Sequence, residues 1–336
     1  MLEIRNQTPL VTRLVPALDK SGHNHVVVVM KGSFTIRHQT PLELADQQQP
    51  ILLADDYYAE PGTSSLRYEA DTAMRKAATD IVVIGHAYAA KDSAGAVDVS
   101  LQIGNLQKTR RVLGNRHWEK LLHGWHATPA EKFERMALVY ENAYGGVDAT
   151  NPVQPSPPYL ADNPVGKGFI GNQSKPEEGL ALPNIENPAA LIQHWQDKPA
   201  PVGFGFIGRN WQPRMGLAGT YDQAWQEQRL PLLPLDFDER YFNGAHADFI
   251  VPPGLSSDEN FQLTHVTESG ELSFSLPAWH LDVFVSIKGR RQCYQPALDT
   301  IVIEPDEQRV QLTWRATVPC FKQFLYIDYI TVKGKY

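Results

Sequence analysis

Cysteine is almost absent, and the chemistry that depends on it goes too. Cys293 and Cys320 are the only two in 336 residues, too few for a disulfide framework and without the Cys-x-x-Cys spacing of a redox or zinc site. Two thiols in a chain this long suit a reducing cytosol. No apolar run approaches the roughly 18 to 20 residues of a membrane span. The opening Met1-Leu2-Glu3-Ile4-Arg5-Asn6 has no basic segment followed by a long apolar one. The expected location is the cytoplasm.

Positive charge is also scarce. A formal charge of −7 argues against a protein that neutralises phosphates, because such binding draws on clustered Lys and Arg. The short basic cluster of Lys108, Arg110 and Arg111 reads as a solvated strand face. Neither nucleic acid nor an anionic membrane is an expected partner. The standard nucleophile signatures are missing as well: no G-x-S-x-G elbow, no H-E-x-x-H helix, no phosphate loop ending in Gly-Lys-Ser or Gly-Lys-Thr. The expectation is a non-enzyme without a cofactor.

Punctuation is what the chain has in quantity, with 25 prolines and 24 glycines, so many short connections are expected. Its length suggests about two domains and a core large enough to need no metal or disulfide. Val26 to Met30 form an unbroken apolar run, the pattern of a strand buried on both faces. Val97, Val99, Leu101 and Ile103 alternate with polar residues, the period of a strand with one wet face. The alternation returns in Leu272 to Leu276, Val283 to Ile287, Ile301 to Ile303, and Val310 to Trp314. Between them, Pro152, Pro155, Pro157, Pro158 and Pro164 mark an ordered, wandering loop. Asn187-Pro188 predicts a short helix carrying Leu191, Ile192 and Trp195, closed by Pro199.

A second short helix is expected after Thr220, with Thr220 and Gln223 as a capping box. The fold class expected is therefore mainly β: antiparallel, sandwich-like sheets with long Pro/Gly-rich loops and two or three short helices. Residues 1–126 read as an N-terminal β region, 127–254 as a loop-rich core dense in motifs, and 255–336 as a C-terminal β region, together one continuous unit.

Several motifs invite chemistry. Two segments match G-x-G-x-x-G, Gly166 to Gly171 and Gly203 to Gly208, but neither lies between a strand and a helix as a pyrophosphate site requires. Glycine for close backbone approach is the simpler account. His117, His123 and His126 admit a zinc site if His123 and His126 share a helical turn, or else a partly buried patch with Trp118 and Trp125. Asp236 and Asp238, expected on a strand, would share a face. Paired carboxylates are what a glycoside hydrolase uses; the other reading has them accept hydrogen bonds from loop backbone or from Arg229 and Arg240. A carbohydrate-active hydrolase using Asp236, Asp238 or Glu141 is the alternative function.

The densest signal is distributed. Tyr140-Glu141-Asn142-Ala143-Tyr144-Gly145-Gly146, Asn163-Pro164-Val165-Gly166-Lys167-Gly168-Phe169 and Leu182-Pro183-Asn184-Ile185-Glu186 with Pro188 are three parts of it. A fourth runs from Gly219-Thr220-Tyr221-Asp222 through Trp225 and Arg229 to Asp236-Phe237-Asp238, Phe242-Asn243 and Ala245. Ala78 to Val83, Gly114 to Trp118, Trp211 with Pro213-Arg214, Leu298-Asp299-Thr300 and Trp314-Arg315 complete it.

This set, over roughly residues 20 to 320, resembles the signature of a bacterial family encoded beside the spike genes of type VI secretion systems. The resemblance implies an adaptor or chaperone that holds a toxic effector, through its N-terminal or PAAR-containing region, and loads it onto the VgrG and PAAR spike, with or without a co-chaperone. It assigns Tyr140, Glu141, Tyr144, Gly145, Gly146, Asn163, Pro164, Gly166, Gly168, Trp211, Thr220, Tyr221, Asp222, Trp225, Asp236, Asp238 and Asn243 to structural or client-binding roles. One departure is visible: Ala245-His246-Ala247-Asp248-Phe249 stands where the pattern has Ala-Pro-Pro-Asp-Gln. If that loop meets the client, specificity differs here.

Overall fold

A computed structural model describes residues 3–90, 95–150, 157–172, 174–255, 258–321 and 326–335. Its centre is the apolar run that the sequence singles out. Strand Asn24–Thr35 lies between Arg309–Phe321 and Val11–Leu18, both antiparallel to it. The sheet continues through Ala297–Glu304 to Thr79–Val83, a parallel pair, and ends at Ile250–Val251. Strands from the early, middle and late parts of the chain thus share one sheet. Burial on both faces has a direct cause: Val28 and Met30 point into the main core, while Val27 and Val29 meet Ile51 on the other side.

A second sheet runs in the order Ile185–Glu186, Leu106–Leu113, Ala96–Ile103, Asn260–Thr264, Glu271–Ser275 and Thr40–Pro41. Its alternating residues turn Val99, Leu101, Phe261 and Phe274 inward, and the two phenyl rings stack at 5.2 Å. A third sheet comprises Glu3–Asn6, Ile327–Lys335, His280–Ile287 and Arg290–Tyr294, and adds Val283, Val285, Ile330 and Val332 to the same core. Each such side chain, fully withdrawn from water, contributes about 1.5–3 kcal/mol. The architecture is mainly β, with mixed and antiparallel sheets and no closed barrel among the described residues. No helix there is long and apolar enough to cross a membrane.

Four local expectations need correction. The segment after Asn187-Pro188 is not helical: the Glu186 and Asp197 carboxylates take the backbone N–H groups of Ile192, Gln193 and His194, fixing turns instead. His117, His123 and His126 lie exposed on the hairpin of Trp118–Leu121 and Gly124–Ala127, so no helical turn joins them, and only Trp118 is fully buried. Arg110 is not solvated; it is 2% exposed and paired with Asp248. Asp236 and Asp238 lie on a turn and a helix cap and not on a strand. Of the crowded prolines, Pro152 and Pro155 fall outside the described residues, and Pro157, Pro158 and Pro164 are in irregular structure.

Candidate docking surface and the motif core

The first two motif segments meet as a pair of very short parallel strands, Tyr144–Gly145 beside Lys167–Gly168. Asn163, wholly buried, locks the junction by donating from Nδ2 to the carbonyls of Tyr140 and Tyr144 at 2.9 and 3.0 Å. That contact requires Gly166. A Cβ there would sit 2.4 Å from Asn163 Nδ2 and 2.6 Å from the Ala143 carbonyl. Pro164 turns the chain between them, and Gly146 N–H closes the loop onto Asn163 O at 2.8 Å.

Neighbouring groups are similarly engaged. Glu141 accepts from Ser65 N–H and Oγ–H, both at 2.7 Å. Lys167 Nζ donates to Asn142 and Asn184, and burial lowers its pKa against the pull of Glu141. Trp211 meets the Tyr140 ring edge-on at 5.5 Å. Gly203 is small because Tyr140 needs the room: a Cβ would lie 2.8 Å from its ring. The second G-x-G-x-x-G match therefore cradles an aromatic ring.

A buried ion network, assembled from segments far apart in the chain, lies against the central sheet. Asp80 accepts from Lys76 Nζ at 2.6 Å, Asn243 Nδ2 at 2.9 Å and Gly244 N–H at 2.8 Å. Glu69 takes Arg214 at 2.6 Å and Arg209 at 3.3 Å. Lys31 pairs with Asp71 at 2.9 Å, and Arg315 pairs with Asp299. Burial alone would raise the Glu69 carboxyl, but Lys76, Arg214 and Arg209 hold it below the ordinary range. Burial would likewise lower the Lys76 amine, and Asp80 and Glu69 more than reverse this. Of these residues the sequence motifs include Asp80, Arg214, Asn243, Asp299 and Arg315. Lys31, Glu69, Asp71 and Lys76 carried no local signal.

The fourth motif segment forms an excursion around one helix, Gln223–Gln228. Six residues are too few to hold a helix by propensity. Asp222 caps it, its Oδ1 accepting from Trp225 N–H at 2.8 Å. Thr220 is not the cap. Its N–H and Oγ–H both go to Asp236, at 3.0 and 2.7 Å, while Gln223 engages Glu227.

Arg229 donates to the carbonyls of Leu233 and Lys20, and Lys20 Nζ returns to those of Leu235 and Phe237. The excursion is thereby tied to the turn before the central strand. Asp238 pairs with Arg240 at 2.6 Å. Both acids are fixed, and a hydrogen bond from Thr220 and one from Arg240 hold the carboxyls of Asp236 and Asp238, respectively, below their usual range.

Four large apolar side chains of this segment face water, among exposed polar ones. Met215, Tyr221, Leu230 and Leu235 are 54%, 48%, 62% and 73% exposed. Tyr221 is also steadied by the Trp225 ring at 4.7 Å, and Trp225 Nε1–H by the Leu232 carbonyl at 2.8 Å. Rigid apolar side chains facing water are the usual material of a protein-binding surface. The departing loop at His246 is inward by contrast. Phe249 is fully buried on Phe204, and Asp248 binds Lys108 and Arg110.

Two of the clefts among the described residues bear on the motif residues and the sheet edges. One, of about 430 Å³, is lined by Gly85, His86, Arg135 and Glu141, with Glu304 and Asp306 on its wall. Asp306 accepts from His86, Tyr88 and Arg135 at 2.7, 2.7 and 3.1 Å; this cluster has no counterpart in the sequence motifs. Among the described residues no serine, threonine or cysteine lines that cleft. The other, of about 410 Å³, is walled by Trp279 and Trp314. Among the described residues no three His, Cys, Asp or Glu side chains are placed to hold a metal ion.

These features define a mainly-β protein whose distributed motifs build a fixed scaffold beneath an excursion that exposes four large apolar side chains. The chain belongs to the bacterial family described as "Uncharacterized protein conserved in bacteria (DUF2169)", whose sequence profile matches residues 21–315. No curated protein and no solved structure matches it.

Proposed function

We propose that this protein is a non-enzymatic adaptor that grips another polypeptide, and specifically a cytoplasmic chaperone that holds a type VI secretion effector for loading onto the VgrG and PAAR spike. The observation that carries the docking half is the excursion of residues 213–242: its ends are joined by Arg214 on the Tyr241 carbonyl, its middle is held by Thr220 on Asp236 and Arg229 on Lys20, and four large apolar side chains stay exposed. A surface already ordered before the partner arrives spends little of its binding energy on immobilisation. The spike-loading half comes from the resemblance of the distributed motifs.

The rival hydrolase reading asks for a general acid with a raised pKa. Asp236 and Asp238 are both lowered, and both Glu141 oxygens are occupied by Ser65. The discriminating experiment co-expresses the chain with a toxin encoded beside a spike gene and replaces Asp236→Asn and Asp238→Asn together. The adaptor reading expects the toxin to co-purify with the parent, and no glycan to be turned over by parent or variant. Glycan turnover by the parent that disappears in the variant, with capture unchanged or absent, overturns it in favour of the hydrolase.

A further inference from the structure

The edge of the third sheet combines a free strand, a local charge reversal and an adjoining apolar cleft. Strand Arg290–Tyr294 pairs only with His280–Ile287 among the described residues, and Arg290 to Cys293 are exposed. Its outer row of N–H and C=O groups is open to another strand. Around it, in a chain of net charge −7, the balance inverts: Lys288, Arg290, Arg291, Lys333 and Lys335 outnumber Asp282 and Asp328. Both acids already accept hydrogen bonds, from Gln295 and from Ser286 with Gly289.

Three of the cations lie over aromatic rings. Arg291 lies 4.0 Å from the Phe284 ring and Lys333 5.9 Å from it, on the outer face of the sheet. Lys288 covers Tyr326 at 3.7 Å. Neither Arg291 nor Lys333 has a carboxylate partner among the described residues. Immediately past the edge strand, Gln295 and Pro296 open the cleft of about 410 Å³ whose floor is the stacked Trp279 and Trp314 rings, 6.4 Å apart.

We propose that this edge takes up an extended acidic segment of a partner polypeptide as an additional strand, with a large apolar residue of that segment anchored in the Trp279 and Trp314 cleft. The inference rests on the docking reading above and names the chemistry of what docks. Antiparallel addition places the first ligand residues beside Tyr294 and the cleft, and the last beside Arg290. Alternation then puts every second ligand side chain on the outer face beside Arg291 of the edge strand, with Lys333 on the same face two strands further in. The remaining acidic surface of the chain repels such a segment from other faces.

The test titrates the full chain into the peptide Trp-Val-Glu-Val-Glu-Val, labelled with fluorescein at its C-terminus, and reads anisotropy. Saturable binding is expected, weakened about tenfold or more by Arg291→Glu with Lys333→Glu. Replacing the peptide's Trp by Gly weakens it further, and replacing both its Glu by Lys abolishes saturation. Both protein positions are on the exposed outer face, and an unchanged thermal transition verifies the fold. No saturation by the acidic peptide, equal affinity for the charge-reversed protein, or equal binding of the Lys peptide each overturns the proposal. An effector still captured while the acidic peptide does not bind defeats this inference alone. Peptide binding by a chain that captures no effector defeats the spike-loading reading and leaves this edge standing.

Discussion

Asp80 is the residue on which most of the buried chemistry converges. Its side chain is wholly buried and satisfies Lys76, Asn243 and the Gly244 backbone at once. Asp80→Asn keeps the shape and an acceptor but removes the charge, leaving the Lys76 ammonium with Glu69 at 3.5 Å as its remaining partner. An uncompensated buried charge costs about 3–5 kcal/mol, even where the intact pair adds little over an apolar pair. Urea unfolding is therefore expected to show a loss of that size; a loss below about 1 kcal/mol, the range of a surface pair, contradicts the network as a structural keystone. Asp80 was legible as part of a motif. Its partners Lys76 and Glu69 were not, because burial of a charge depends on which distant segments fold over it.

Among elements, the excursion shows where local reading succeeds and where it stops. A short helix after Thr220 was legible from the turn residues and the prolines beyond it. Its cap was displaced by two residues, because Asp236, distant in sequence, claims the Thr220 hydroxyl and leaves Asp222 to take the Trp225 N–H. The predicted helix at Asn187 failed in the same way: carboxylates of Glu186 and Asp197 outcompete the helical bonding of Ile192 to His194.

Asp222→Ala removes the helix's only side-chain cap bond, worth about 0.5–2 kcal/mol. Hydrogen exchange at the amides of Trp225 to Arg229 is expected to quicken while the central sheet stays protected. Unchanged exchange there contradicts the view that the excursion is held by discrete side-chain bonds.

For the molecule as a whole, period-two alternation and the double-sided run at Val26 to Met30 made the mainly-β architecture legible from sequence. Which strands pair was not, since Asn24–Thr35 meets Arg309–Phe321 across almost the full chain. The clefts were invisible for the same reason. His86 and Asp306 belong to different motif-free stretches and come together because each lies just past the end of one of two parallel neighbours, Thr79–Val83 and Ala297–Glu304.

What the assembled molecule presents is a scaffold stiffened by buried polar contacts and one excursion that exposes four large apolar side chains. The most direct test is co-purification of the neighbouring toxin with the Leu230→Asp and Leu235→Asp double variant. Both side chains face solvent, at 62% and 73% exposure, so folding is expected to be preserved within about 0.5 kcal/mol. Docking through the excursion predicts that the toxin is no longer retained while the thermal transition stays where it was. Retention equal to that of the parent chain would contradict it.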